Sequence, residues 1–458
     1  MSWRFGATWL GGVLRLGALG GAVFGLWSCV STKPTPRAQL PDRRELPVIP
    51  VPAASSGSQP APVGAPAPPP VFPRASVLGA LTEGERIADL AVLTEPDRFL
   101  LAWVTYFDGG GPLGASTRGR GKRGAATSPA QQRGATVAVR ALDAEGEALG
   151  STNIISVKAD SIGGVSLAAG TSPQGDAGLA WVGKDAGVGQ VFITRLSRTG
   201  EKQAQRMLTR SKEGCSDVAL VRHKDGFIVA YVDSRDGVPG VYVARVGKDL
   251  QRVGNERLVA EAKGEASDVR MIARGEDLVV AWAEARQGPE LYGVFAARML
   301  AATLAVRGDA VRIVLAPQHV KGIELAAFGE GVALGFIEDA APAAATSPAK
   351  TAVLVALDLA LRSAGDAVRV PLPAEPSSLA LECDRACRVV VAGSEGEDLA
   401  FYGFLLEGGR PSPAARLASI AGVSTEDTNP VVARDWLFFA EDNLRGAGRI
   451  RKAKLAWR

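Results

Sequence analysis

Four acidic residues recur at one place in a repeated pattern. Asp233, Glu284, Glu338 and Glu441 each stand two positions after an aromatic residue, and Arg235 and Arg286 follow two residues later in two of the copies. Carboxylates at equivalent points of a repeat fall on one face of the fold, a possible binding face where they could receive a cation or a basic partner. The alternative is local: each acid satisfies its own turn and pairs with a neighbouring arginine.

Other residues suited to chemistry are few. The only two histidines are His223, inside the turn-like Arg222-His223-Lys224-Asp225-Gly226, and His319, which follows Pro317-Gln318. Nucleophilic catalysis needs a base held against its nucleophile, and neither histidine has a partner set by a motif. There is no glycine-rich phosphate loop, no His-Glu-x-x-His and no nucleophile elbow. The expectation is therefore a protein that is not an enzyme, with no catalytic residue, no metal site and no cofactor, although separate repeats can assemble a site that no local motif records. Cys383-Asp384-Arg385-Ala386-Cys387 places two cysteines across an expected tight turn. A disulfide is the reading; the rival metal pair lacks a third or fourth ligand nearby. Cys215 stands alone and reads as a buried thiol.

The elements that must position these residues form a repeat. Residues 227–237 run as an apolar strand into a polar Asp-Gly turn, and residues 241–246 alternate as a second strand, which makes a β-hairpin. Its aromatic recurs as Trp103, Trp181, Tyr231, Trp282 and Phe336, with weaker copies of the strand at 388–393 and 435–440. The regular steps are about fifty residues, room for four short strands. Matching Ser-Asp-Val segments at 216–218 and 267–269 open the units and fix the same register. The expectation is an all-β, seven-bladed β-propeller over residues 76–458, with the first strand of each blade on the channel and the fourth on the rim. The last unit has no sequence left for a fourth strand after residues 449–456, so the segment 76–82 is expected to complete it and close the ring.

Two insertions interrupt the pattern. Residues 109–133 are glycine-rich and carry Arg118, Arg120, Lys122, Arg123 and Arg133 without an acid, a loop that reads as solvated or as a contact for an anionic surface. The second, at 340–350, is rich in Ala and Pro. The formal charge of +4 over 458 residues falls to about +2 without Arg4 and Arg15, too little to attract nucleic acid.

The pattern from Tyr231 through Asp233-Ser234-Arg235-Asp236-Gly237 to Val246 resembles the degenerate propeller repeats of bacterial, myxobacterial-type secreted proteins and lipoproteins. The resemblance implies the propeller and not a ligand; sialidase-type Asp boxes and WD40 signatures do not occur. Residues 1–28 have the layout of a secretory leader, with Arg4 and Arg15 ahead of an apolar run too short to span a bilayer. Leu26-Trp27-Ser28-Cys29 resembles a bacterial lipobox, which implies cleavage before Cys29 and its lipidation, with palmitate among the acyl chains. Plain secretion and an uncleaved anchor are the alternatives. From Ser31 to Pro73 lie 13 of the 28 prolines, so residues 29–75 read as an extended tether.

These readings place a monomeric propeller in the bacterial cell envelope, attached to the membrane through its N-terminal lipid. Val30 lacks the acidic signal for inner-membrane retention, which points to the outer membrane. The expected function is a binding or scaffolding module for an envelope protein or glycan; the alternative is a propeller hydrolase or lyase acting on cell-surface polysaccharide. Replacing Cys29 with Ser is expected to move the protein from the membrane to the soluble fraction. Unchanged fractionation would rule out lipidation.

Overall fold

The computed structural model describes residues 76–80, 85–107, 135–158, 161–170, 176–224, 226–285, 292–316, 320–339, 350–372, 375–396, 398–407, 410–420, 430–441, 448–455 and 457. The leader, Cys29, the tether, the insertions at 109–133 and 340–349, Arg286 and His319 lie outside them. Contacts divide the chain into Met1–Pro68 and Pro69–Arg458, and the fold is that of the second unit.

Among the described residues every regular element is a strand, and the strands form seven antiparallel sheets, the blades of a seven-bladed β-propeller. Blade 3 shows the plan. Cys215–His223, Gly226–Arg235, Val238–Val246 and Arg257–Glu261 pair in sequence order. Blade 6 adds the two-residue strand Arg410–Pro411 beside its third strand. The hairpin between the second and third strands of blade 3 turns on Asp236 (φ 52°) and Gly237 (φ 76°). Two consecutive left-handed residues match the twist of the flanking strands, which is why Asp-Gly stands there.

Second strands are buried on both faces, because each blade is covered by a neighbour on either side. This explains their continuous apolar runs: in Gly226–Arg235 every residue from Gly226 to Asp233 is buried. Successive side chains point to opposite faces. In blade 7, Phe438 packs on Phe99 of blade 1 at 5.6 Å between ring centroids, and Phe439 packs on Phe401 of blade 6 at 4.6 Å. Seven large apolar clusters follow, one in each seam between blades. The repeating aromatics stack on their cross-strand partners, as in Trp181 on Phe192 at 4.4 Å, Tyr231 on Tyr242 at 6.0 Å and Trp282 on Phe295 at 5.9 Å.

The expected closure is present. Ser76–Ala80 pairs antiparallel with Arg449–Lys454 and is the outer strand of blade 7. The seam between the first and last blades is tied further. Buried Lys452 donates to the Gly146 carbonyl at 2.6 Å and to Glu147 Oε1 at 2.7 Å, the Trp436 indole donates to the Ala144 carbonyl at 3.2 Å, and Arg434 donates to the Glu95 carbonyl. Cys383 and Cys387 form the expected disulfide, which staples the turn between the first two strands of blade 6.

Trp282 is 1% exposed and fills the seam between blades 3 and 4. Trp282→Ala is expected to cost about 3–5 kcal/mol of unfolding free energy in denaturant titration, with the cavity left in that seam the dominant cause.

Candidate functional site

The first strands of the blades line the central channel, and those of blades 1 to 6 carry an irregularity at the same place. Register shifts fall between Ile87 and Asp89, Gly163 and Val165, Cys215 and Val218, Ser267 and Arg270, Lys321 and Glu324, and Pro376 and Ser378. A bulge turns backbone N–H groups out of the ladder, and they need other acceptors. Asp89 supplies one set: its Oδ1 accepts from the Leu90 N–H at 2.8 Å and its Oδ2 from the Val165 N–H of blade 2 at 2.7 Å. Asp217 repeats this for blades 3 and 4, accepting from Val218 at 2.8 Å and Val269 at 2.7 Å. Each of these carboxylates therefore clips two adjacent blades at the axis.

The bulges also bring charge together. Asp89, Asp217, Asp268 and Glu324 line one cavity of about 420 Å³ with Arg270 and Lys321. Arg270 Nε and Nη2 both donate to Glu324 Oε1 at 3.2 Å, with the two side chains 31% and 28% exposed. Asp268 holds a left-handed φ of 53° at its bulge, where blades 2 and 5 have Gly164 (φ 77°) and Gly322 (φ 64°). Asp is among the few side chains that tolerate this conformation. The Asp268 carboxylate accepts no hydrogen bond among the described residues, whereas Asp89 and Asp217 are committed to backbone N–H groups and Glu324 to Arg270. Burial pushes the carboxyls of Asp89 and Asp217 up to about 6, against the opposing pull of Arg270. Glu324 is raised by the same burial. Among the described residues no group of three or more His, Cys, Asp or Glu is arranged to hold a metal ion.

The recurring carboxylates of the sequence pattern lie elsewhere, near the turn that joins the second and third strands. Asp233 is 1% exposed and accepts from Ser211 Oγ at 2.5 Å and Arg235 Nε at 2.7 Å. Buried Glu284 accepts from the Lys263 N–H at 2.7 Å, Glu338 pairs with Arg369 at 3.2 Å, and buried Glu441 pairs with Arg451. Each is engaged within its own blade or by the connection entering it. Asp233 and Arg235 also line a groove of about 880 Å³ on the outer side of blades 2 and 3. His223 closes the first hairpin of blade 3, where it pairs with Gly226. Cys215 is buried 3.5 Å from Thr209 Oγ1, and burial pushes its thiol up to about 12, which removes it as a nucleophile near neutral pH.

Sequence reasoning missed the channel cluster. The Ser-Asp-Val segments marked it, since they contain Asp217 and Asp268, but they served only to fix the repeat register. Nothing local in the sequence links them to Asp89 and Glu324.

The raised carboxyls of Asp89 and Asp217 have a consequence for stability. The folded state holds these protons more tightly than the unfolded chain, whose carboxyls titrate near 3.8. Their contribution is thus fully present below about 3.8 and is lost as pH rises through about 6. Unfolding free energy measured by denaturant titration is expected to decline across that window. Replacing both residues with Asn should flatten the slope, whatever its effect on absolute stability.

No family model matches the chain, and no curated protein does. Solved structures do match, and they are propellers. An alpha-L-arabinanase from Penicillium chrysogenum is 9% identical, with 63% of this chain and 93% of that one covered at a TM-score of 0.43. A polysaccharide lyase is 10% identical, with 80% and 90% covered at 0.48. The β-propeller domain of a trilobed protease from Pyrococcus furiosus is 8% identical, with 83% and 97% covered at 0.44. At these identities and TM-scores the likeness says nothing of what this chain does. One expectation is corrected: the missing local motifs were read as evidence that the chain is not an enzyme, yet the solved structures it matches include an arabinanase and a polysaccharide lyase. A propeller draws its site from several blades, so motif absence along the chain excludes nothing, and the channel of this chain does gather carboxylates from blades 1, 3, 4 and 5.

Proposed function

We propose that the protein is a propeller enzyme, a hydrolase or lyase that cleaves a polysaccharide of the cell surface at the mouth of its channel. The observation that carries this reading is the convergence of Asp89, Asp217, Asp268 and Glu324 around Arg270. Cleaving a glycosidic bond requires a carboxylic acid to protonate the leaving oxygen, and a second, ionised group to activate water or remove a ring proton. The channel offers both. Asp268, whose carboxylate accepts no hydrogen bond among the described residues, takes the second role. Asp217, held toward its protonated form by burial and adjacent to Asp268, is the acid. Arg270, held by Glu324 and the Val269 carbonyl, fixes a positive charge among these acids and orients the site.

This activity belongs in the bacterial envelope, where a lipid on Cys29 and the proline-rich tether would hold the propeller beside its substrate, on the outer membrane. A membrane-held enzyme of this kind works on a polymer that is itself fixed to the surface.

The test is incubation of the purified full chain with envelope polysaccharide. A hydrolase releases new reducing ends; a lyase releases reducing ends together with an ultraviolet-absorbing C=C bond. Asp268→Asn is expected to lower the rate by about 10²–10⁴-fold, the usual worth of a positioned acid or base. The wild-type rate should fall as pH rises past about 6, where Asp217 loses its proton. Absence of both products from the wild-type protein, or full activity in Asp268→Asn, would overturn the reading.

A further inference from the structure

The outer groove between blades 2 and 3 is a built feature. One wall is the connection that leaves the fourth strand of blade 2, Lys202–Met207, and enters the first strand of blade 3, Cys215–His223. Buried side chains hold that connection in place. Gln190, 4% exposed, donates to the Ser211 carbonyl at 2.8 Å and accepts from the Ser211 N–H and Thr209 Oγ1, each at 2.9 Å. Ser211 in turn donates to buried Asp233, and Glu213 accepts from the Gly237 N–H at 2.8 Å. The connection is thereby fixed to both blades, so the groove exists before any ligand arrives.

The opposite wall is a stack. The Arg235 guanidinium lies 3.8 Å from the centroid of the Tyr242 ring, which stacks on Tyr231. Its edges are held by Asp233 at 2.7 Å and Glu256 at 2.6 Å, and Glu256 also accepts from Tyr231 Oη at 2.5 Å. With 37% of its side chain exposed, Arg235 presents a flat, immobilised surface to the groove.

Asp233 and Glu256 are paired with Arg235 and Arg252, Glu213 accepts from the Gly237 N–H, and exposed Asp236 makes no ion pair among the described residues. Arg206, Arg210 and Lys212 line the groove, are exposed, and make no ion pair among the described residues. Arg206 in the fourth strand of blade 2 and Arg210 and Lys212 on the pinned connection face a planar platform, in a groove lined by five cations and four acids beside neutral hydrogen-bonding groups such as Gln205, Ser234 and Gln251. A volume of about 880 Å³ is that of a small-molecule or oligomer site.

We propose that this groove binds a uronate-bearing stretch of an acidic polysaccharide, with sugar carboxylates received by Arg206, Arg210 and Lys212 and a sugar face laid against Arg235. The ligand class rests on the reading of a polysaccharide-directed propeller, but the site is separate from the channel. It would hold the polymer on the outside of the ring, independently of cleavage at the axis.

The test is equilibrium titration of the full chain, carrying Asp268→Asn to prevent turnover, with tetragalacturonate as the acidic probe. Maltotetraose is the neutral control, and poly-L-glutamate stands for an acidic protein segment. Tetragalacturonate is expected to bind with an affinity that falls as salt is raised, while maltotetraose binds at least tenfold more weakly. Replacing Arg206, Arg210 and Lys212 together with Ala should weaken tetragalacturonate binding at least tenfold, and the single change Lys212→Glu should weaken it measurably. Arg222→Gln with Lys224→Gln, on exposed residues at the other end of blade 3, should leave it unchanged. No tetragalacturonate binding, full affinity in the triple variant, or equal affinity for poly-L-glutamate would each overturn the proposal. Because binding is read without turnover, failure of channel cleavage and failure of the groove are separately visible.

Discussion

The ring depends on what happens to backbone N–H groups at the axis. First strands crowd together there, and in blades 1 to 6 a bulge turns part of the ladder away from its partner strand. An N–H turned out of a ladder and buried costs about 1–3 kcal/mol if nothing accepts from it. In blades 1 and 3 a single aspartate answers for two such groups, one in its own strand and one in the next blade. The clip is thus a joint between blades as well as a cap on a bulge. It places carboxylates at the centre of the molecule for a reason that has nothing to do with a ligand.

That reason also separates the acids of the channel into kinds. Asp217 and Asp268 occupy the same place in matching Ser-Asp-Val segments, 51 residues apart. Asp217 spends both oxygens on blades 3 and 4. One of those bonds goes to Val269, so the bulge of blade 4 is already satisfied from the preceding blade and Asp268 is released from that duty. The left-handed backbone at Asp268 follows, and its carboxylate is left beside Asp217 and Arg270. Structural use of one acid creates the availability of its neighbour.

The architecture was legible because it is written in period. Trp181, Tyr231 and Trp282 recur at about fifty residues, each fills a seam, and the shortage of a final strand after residues 449–456 pointed to the segment that pairs there. The disulfide was legible because Cys383 and Cys387 face each other across a hairpin. The channel was not, because a bulge shifts which side chains face the axis, and no alternation in the sequence records the shift. Arg270 and Glu324 meet across two blades, 54 residues apart, and nothing next to either predicts the other. The recurring acids were seen individually, yet their shared position concealed different partners: a serine hydroxyl and an arginine for Asp233, a backbone N–H for Glu284, an outer-strand arginine for Glu338.

The turn that carries Asp233 and Arg235 is where the two scales meet. As one copy of a repeat, it invites the expectation of a ring of equivalent charges. In the fold, Asp233 is consumed by Ser211 and Arg235, and Arg235 is consumed by Asp233, Glu256 and the Tyr242 ring, so the pair adds no free charge to any face. What it contributes is rigidity. With Arg235 locked flat and Ser211 locked against Asp233, the cations without an ion-pair partner are Arg206 in the fourth strand of blade 2 and Arg210 and Lys212 on the connection, the last two belonging to no repeat. Repetition builds the wall, and the irregular segment between blades carries the charge that gives the groove its selectivity.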